Sequence, residues 1–591
     1  MINMFSKTWK TSERKYGVVV DRHTKIRMDG GVEIDADIFR PDAPLEKFPA
    51  VLGVHCYPNP LQSAPIMPAG MTPGRGYIEA GDPQFFVRRG YAHVIANVRG
   101  TGASGGEYAH YGPQEVQDTA EIIDWIARQP WCDGNVGMFG VSYFAIAQLQ
   151  VAALNPPNLK CIFAPFGYTD FYRHKFYHGG ILAHVFMARG GTFAHADNLR
   201  PESWARKKLG DKEYKKAIDK VLQDRDICVV PDLYEALRHP EAGANTLVVD
   251  MLLNQFDGEY YLERNPKLEN IKMPAYIGAC WGMYGLHLPG AFEGWEKIKS
   301  FKKMVIGPPI YLDRPLYQPQ YEALRWFDCW LKGIDTGVEE ESDVRLFIPG
   351  TGDWKTAGEW PLPETKWTPF YLHAGGLLSE HEYWPNEGYF TFEDSIYNRG
   401  GATFVSPPLV ENTEIVGPIL LRLYGSTTDN EVFWFVSLLT IDSQGVEKIL
   451  TRGWLRGSHR EIDPARSKPY EVYHPHTTQE FLNPNTVYEF DINLAPTANL
   501  FKLGHRIGLR IRCADDEKPD TYLERIATGH LWRQSASRVT IYHNADCPSC
   551  LYLPVTRGNI QGTFISGGAI PPEAVIRRYA GEPSARVGMK G

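Results

Sequence analysis

At 591 residues the chain is too long for one ordinary hydrophobic core, and roughly two to four domains follow from size alone. Its composition, 43% hydrophobic and 22% charged, is that of a water-soluble globular protein, and no run of about 18 apolar residues suited to spanning a bilayer appears. The 62 basic and 70 acidic side chains give a net charge of -8 spread along the chain, which excludes the clustered Lys and Arg that nucleic-acid binding needs.

The opening "MINMFSKTWKTSERKYG" lacks the apolar segment of a secretory signal, and the nine cysteines are odd in number and scattered. Both point to a reducing, cytoplasmic setting. The one close pair, Cys547 and Cys550 in "CPSC", reads as a loop with two free thiols, because zinc would need a second pair at ligand spacing. No cofactor or metal signature is present.

Along the chain, Val32–Phe39 ("VEIDADIF") alternates as a strand, and a turn separates it from the buried run "FPAVLGVHCYP". "YAHVIANV" is a further strand, "PQEVQDTAEIIDWIARQP" has helical period and stops at Pro130, and "NVGMFGV" returns to strand. Strands alternating with helices predict βαβ units and a mostly parallel sheet. From about 170 to 262 the chain turns helical and aromatic, as in "RPESWARKKLGDKEYKKAIDKVLQ", which predicts an insertion capping a pocket. The βα rhythm resumes with "MPAYIGACWGMYG", "KKMVIGPPIY" and the helix "YEALRWFDCWLKGI". After about 345, "VRLFIPG", "TPFYLHAGG", "GPILLRLYGSTTD", "EVFWFVSLLTID" and later runs are short alternating strands between turns, the texture of a β-sandwich. The expected layout is an α/β domain over 1–169 and 263–344, a helical cap over 170–262 and an all-β domain over 345–591.

The run "CDGNVGMFGVSYFAIA" carries the chemistry. A nucleophile elbow needs a buried strand, a strained turn that lifts one side chain above the sheet, and small residues that let the following helix pack close. Here Gly140 stands two before Ser142, Phe144 two after and Ala145 three after, giving G-x-S-x-x-A between a strand and the helical run "AIAQLQVAAL". The bland alternative is a serine capping an ordinary helix.

"PWCDGNVGMFGVSYFA" resembles the elbow of the cocaine-esterase and X-Pro dipeptidyl-peptidase-like (S15-type) hydrolases, the CocE/NonD family, whose usual form is G-x-S-Y-x-G. "MDGGVEIDADIFRPD" resembles that family's N-terminal hairpin, and "NVRGTGASGGE" its D-x-R-G loop with Asn97 where an acid is usual. "VRLFIPGTGDWKTAGEWPLPETKWTPFYL" resembles the junction into its jelly roll. The resemblance covers nearly the whole chain and implies an α/β-hydrolase fold with a helical cap and a C-terminal jelly-roll β-sandwich.

It implies Ser142 as nucleophile, with an oxyanion held by the Tyr143 backbone N–H and the hydroxyl of Tyr57, in "VHCYPNP". The rest of the triad departs from the pattern. Met283 stands where the family has its acid in "G-W-x-D", and Tyr311 where it has its histidine in "G-P-x-x-H". Methionine cannot orient a base, and a phenol with a pKa near 10 is a weak one. His287, four after Met283, is the candidate displaced base. His55 shares a strand face with Tyr57, and "FGYTDFYRHKFYHGGILAHVF" adds His174, His178 and His184. Trp281, Met283, Tyr284, Tyr172, His55 and His178 are the expected pocket lining, suited to an apolar or aromatic small molecule.

Three functions follow as expectations. The first is a serine hydrolase with a non-standard triad, acting on an ester or amide of a small acyl compound; esterase and dipeptidyl-peptidase activities both occur under the resemblance. The second is a lyase, isomerase or cyclase using Ser142, Tyr57 and Tyr311. The third is a catalytically inactive binding protein. Exposed sandwich edges leave a homodimer open, and neither a membrane nor a nucleic acid is expected as a partner.

Overall fold

The structure is a computed structural model that describes residues 9–57, 79–185, 198–309, 317–380, 387–515 and 529–558. Its first half is built on one sheet. β1 (Val18–Arg27) and β2 (Glu33–Pro41) form an antiparallel hairpin, and β2 pairs antiparallel with β4 (Ala92–Asn97). β3 (Phe48–His55), β5 (Cys132–Phe139) and β6 (Leu159–Pro165) then run parallel. Between these strands run α1 (Pro83–Val87), α2 (Pro113–Ala127) and α3 (Tyr143–Ala152). Every residue of β3 and of β4 is buried, because helices cover both faces and leave no side for polar alternation. All ten residues of α3 are buried as well, the mark of a central helix apolar on every side.

Between β6 and β9 (Ala275–Cys280), which are adjacent in the sheet, the chain leaves and returns. The excursion begins with a π-helical turn, Tyr172–Phe176, and a two-stranded hairpin of β7 (Tyr177–His178) and β8 (Ile181–Leu182). It continues through six helices among the described residues: α4 (Trp204–Leu209), α5 (Asp211–Val221), α6 (Arg225–Cys228), α7 (Pro231–Arg238), α8 (Asn245–Leu253) and α9 (Glu259–Leu262). The charged stretch after Pro201 is two helices rather than one, because Gly210 takes φ 74° and breaks the run. After β9, α10 (Leu288–Lys297), β10 (Lys302–Gly307) and α11 (Tyr317–Lys332) restore the βα rhythm.

One expectation is corrected. "VRLFIPG" reads as the first sandwich strand, yet β11 (Val344–Ile348) pairs parallel with β10 and is closed by the antiparallel β12 (Asp353–Ala357). The two strands extend the first sheet, whose order among the described residues is β1-β2-β4-β3-β5-β6-β9-β10-β11-β12. Alternation reports one buried face, not which sheet owns the strand. From Lys366 onward the remaining strands make a separate β-rich unit with its own apolar core around Trp434, Phe490 and Leu509. Its long strands Thr413–Thr427 and Tyr488–Phe501 pair antiparallel over most of their length. Cys547 and Cys550 lie in two short strands rather than a loop, and all nine cysteines are free thiols. No helix among the described residues is long and apolar enough to cross a membrane.

The excursion is fastened to this β-rich unit at the β7–β8 turn. The Arg456 N–H donates to the Gly179 carbonyl (2.8 Å), and a Cβ on Gly179 would collide with the Trp454 backbone. Arg173 completes the join: its guanidinium meets Asp170 (2.9 Å) and Asp257 (2.5 Å) and donates to the carbonyls of His474 (2.8 Å) and Pro475 (3.0 Å).

Candidate active site

The site begins where β5 ends. Gly140 takes φ 140° and Ser142 φ 58°, ψ -119°, a backbone state that a serine holds at a cost of about 1–3 kcal/mol. A Cβ on Gly140 would overlap the Phe144 Cβ and come within 3.1 Å of the Glu79 carbonyl oxygen, so the position requires glycine. The Ile146 N–H donates to the Ser142 carbonyl (3.0 Å), starting α3 directly behind the serine. The Ser142 side chain makes no capping hydrogen bond to that helix, so the capping reading fails and the hydroxyl is left for other partners.

Phe144, two after the serine, is large, and the small residue stands one further on at Ala145. Space for Phe144 comes from β3: Gly53 would carry a Cβ only 3.0 Å from the Phe144 ring, and His55 stacks on the same ring at 4.8 Å. His55 is fully buried and belongs to this packing.

Tyr57 stands just past β3, half-buried, its ring edge-on to Tyr143 at 5.9 Å. Asn97, the departure in the D-x-R-G-like loop, has a visible role: its side-chain amide donates to the Tyr57 carbonyl at 2.9 Å and pins the segment that carries the phenol. Tyr143 follows the serine at the first position of α3, where a helix leaves its N–H groups without intrahelical acceptors. Ser142, Tyr57 and the Tyr143 N–H are thus brought together.

Below Tyr143 lies a buried polar cluster. The Tyr143 hydroxyl donates to Glu115, which also accepts the Tyr111 N–H (3.1 Å), while the Tyr111 ring stacks on Tyr143 at 4.0 Å. Burial pushes the Glu115 carboxyl up to about 7 despite these two donors. The Lys175 ammonium nitrogen sits 2.9 Å from His110 Nε2 and within about 5 Å of the Tyr111 and Tyr168 rings, and burial drives its pKa well below the usual lysine range.

The sequence-derived base candidates lie elsewhere. His287 is buried, its ring stacked on Tyr168 at 5.9 Å and edge-on to Phe166 at 6.2 Å; burial, aided by Lys175, pushes its pKa down to about 3, so it is neutral. Met283 is buried in the turn after β9, where its carbonyl accepts the His287 N–H at 3.1 Å. Tyr311 lies outside the described residues. Of the expected lining, Trp281 donates its indole N–H to the Phe347 carbonyl (2.6 Å) and stacks on Phe292 at 6.1 Å. Tyr284 turns to Trp454 (6.4 Å). Tyr172 stacks on Tyr177 at 5.0 Å and donates to the Gln255 carbonyl at 3.0 Å. His178 stacks on Trp454 at 4.8 Å and meets His530 Nε2 at 2.7 Å, with Asp515 on the far side of that imidazole at 3.0 Å. Tyr172, whose ring also lies 5.4 Å from that of His476, and His178 therefore serve the join between the excursion and the β-rich unit.

One residue the sequence reading missed is central. Glu79 is 7% exposed, its carbonyl accepts the Val141 N–H at 2.9 Å, and its carboxyl lies beside the Tyr57 and Ser142 side chains. Burial is the largest influence on it and outweighs both neighbours, raising its pKa from 4.5 to about 8. Among the described residues the Glu79 carboxyl lies beside the Ser142 side chain. Nothing in "GYIEAGD" marks it, since it belongs to no strand–turn–helix motif and precedes the nucleophile in the chain.

Comparison with known proteins supplies the family. Residues 29–310 match the X-Pro dipeptidyl-peptidase (S15 family) and residues 336–551 the X-Pro dipeptidyl-peptidase C-terminal non-catalytic domain. The chain is 25% identical to the cocaine esterase of Rhodococcus sp. over 91% of this chain and 99% of that protein. A CocE/NonD family hydrolase from Staphylococcus aureus superposes with a TM-score of 0.75 at 25% identity, covering 91% of this chain and 94% of that one. An alpha-amino acid ester hydrolase shares the fold, with a TM-score of 0.71 at 17% identity over 94% of this chain and 99% of that one. With an S15-type domain, its C-terminal β partner and the serine elbow in place, the chain belongs to the CocE/NonD family of X-Pro dipeptidyl-peptidase-like α/β-hydrolases.

Proposed function

We propose that Ser142 is the nucleophile of a hydrolase acting on an ester or amide of a small acyl compound of apolar or aromatic character, with a non-standard triad. The observation that carries this reading is the strained serine at the start of α3, with the Tyr57 ring edge-on to Tyr143 beside it, which supports the Tyr57 hydroxyl and the Tyr143 N–H as oxyanion donors. Ser142 Oγ attacks the carbonyl carbon, and the displaced electron pair settles on oxygen between those donors. Aimed dipoles of this kind typically contribute about 3–4 kcal/mol each to the barrier reduction. The dense aromatic surroundings, Tyr111, Tyr143 and Tyr168 among them, support an apolar acyl group.

The test is a fluorophosphonate probe with p-nitrophenyl acetate turnover alongside it. Wild-type protein is expected to take up the probe at Ser142 and to release p-nitrophenol, and Ser142→Ala to do neither. Failure of the wild type in both assays sinks the reading.

The apolar Met283 in the acid's place favours a second reading, a lyase, isomerase or cyclase in which Ser142 and Tyr57 polarise a carbonyl and Tyr311 moves a proton. Under it, Tyr311→Phe abolishes turnover of the true substrate while no p-nitrophenyl acetate is consumed. Metabolite binding without turnover by any variant marks the third, a binding protein.

A further inference from the structure

We propose that Glu79 is the catalytic base of this enzyme, receiving the Ser142 proton in place of the family's histidine. The inference deepens the nucleophile reading and rests on it. Three observations carry it. Glu79 is built into the elbow, since its carbonyl holds the Val141 N–H at 2.9 Å and closes over Gly140, so its carboxyl is fixed relative to the serine. That carboxyl lies beside the Ser142 and Tyr57 side chains. And the Ser142 hydroxyl is not spent on capping α3. The competing groups are engaged otherwise: His287 with Tyr168 and Phe166, His55 with Phe144, and Met283 bears no proton acceptor of use.

The step balances with water as the only co-reactant. The Ser142 O–H bond breaks, its proton passes to the Glu79 carboxylate, and Oγ bonds to the substrate carbonyl carbon. The π pair moves to oxygen, where Tyr57 and the Tyr143 N–H receive it. Collapse of that adduct breaks the bond to the alcohol or amine, which leaves with the proton from Glu79. A water then gives one proton to Glu79 and its oxygen to the acyl carbon; the second collapse frees the acid and returns the Glu79 proton to Ser142. Protonation of Glu79 also weakens its hold on the Tyr57 hydroxyl at the moment the oxyanion forms, so one proton transfer prepares both halves of the site.

A carboxyl whose pKa lies near 8 accepts a proton far better than one near 4.5, and Brønsted behaviour favours a base close to the working pH. The titratable groups facing it are Tyr57 and, more weakly, the buried Cys56 thiol, itself in the field of Glu115 and Lys175.

The experiment is the rate of fluorophosphonate labelling of the full chain between pH 5 and 9.5, for wild type, Glu79→Gln, Glu79→Asp and Ser142→Ala. The expected wild-type rate rises with pH and levels off above about 8, as the carboxylate form accumulates. Glu79→Gln should label about 100-fold or more slowly and lose the pH rise, the range typical of a lost general base. Glu79→Asp, which keeps the carboxylate but draws it back by a methylene, should fall between the two and retain the rise. If Glu79→Gln labels at the wild-type rate with the wild-type pH profile while Ser142→Ala does not label, the base assignment is overturned and the nucleophile stands. If wild type does not label at all, both fall together. Melting curves of each variant at pH 5 separate a chemical loss from a folding loss.

Discussion

Glu79 illustrates how a residue useful for chemistry is paid for in stability. Its folded pKa of about 8 lies above the ordinary 4.5, so between those values the folded protein holds a proton that the unfolded chain has released. By linkage, stability contributed by this group is full below about pH 4.5 and is lost as pH rises, at most about 1.4 kcal/mol per pH unit, until the carboxyl ionises near 8. Glu79→Gln removes the titration, and the variant should gain in melting temperature over wild type by an amount that grows from pH 5 to pH 9. A constant difference across that range would contradict the raised pKa. This residue also marks where sequence reading ran out. The strained turn at Ser142 and the place of Tyr57 were legible because each follows a strand in a recognisable local pattern, whereas Glu79 acquires meaning only from what the fold sets beside it. Asn97 was legible only as a departure from the family loop, and its contact with the Tyr57 carbonyl supplies the reason for it.

The elbow at the start of α3 works as an element because β3 makes room for it. Gly53 on β3 and Phe144 on α3 form a small–large pair. Gly53→Val forces methyl groups into the Phe144 ring and is expected to cost about 1–3 kcal/mol, the range for overpacked cores. Combined with Phe144→Ala, which opens that space, the change should cost less than the sum of the two single variants, with a coupling of about 0.5–3 kcal/mol. Urea unfolding midpoints of the four proteins measure it, and strict additivity would show that the pair does not share the space. The strand and helix periods of these elements were readable in advance. Sheet membership was not for β11, because the alternation of "VRLFIPG" is the same whether the strand pairs with β10 or with a sandwich neighbour.

On the scale of the whole molecule, the excursion between β6 and β9 is bound to the β-rich unit through buried polar groups. Arg173 joins Asp170 and Asp257 to the His474 and Pro475 carbonyls, so Arg173→Ala leaves two carboxylates facing each other and should cost about 3–5 kcal/mol, seen as a lowered thermal midpoint. Histidines crowd the same join. His178 and His476 are pushed well below their ordinary 6.5 by burial, and His459 down to about 3. Each folded histidine binds fewer protons than its unfolded counterpart below pH 6.5. Stability is therefore full above that pH and falls as pH drops, by up to about 1.4 kcal/mol per pH unit for each histidine. Thermal melts between pH 7.5 and 5 should show a downward trend, and Glu79 works in the opposite sense over that interval. A midpoint unchanged down to pH 5 in Glu79→Gln, which lacks that opposing titration, would mean that the imidazoles charge in place.

The amino-acid sequence by itself determined the parallel sheet, the helical excursion, the all-β second half and the strained serine, because burial periodicity and turn chemistry act over a few neighbouring residues. Which group answers that serine was decided by tertiary structure alone. Acid–base partnership depends on distance and burial, and these are set by segments far apart in the chain: the residues before α1 that bring Glu79 to the elbow, the end of β4 that holds Tyr57, and the turn after β9 that gives His287 to Tyr168.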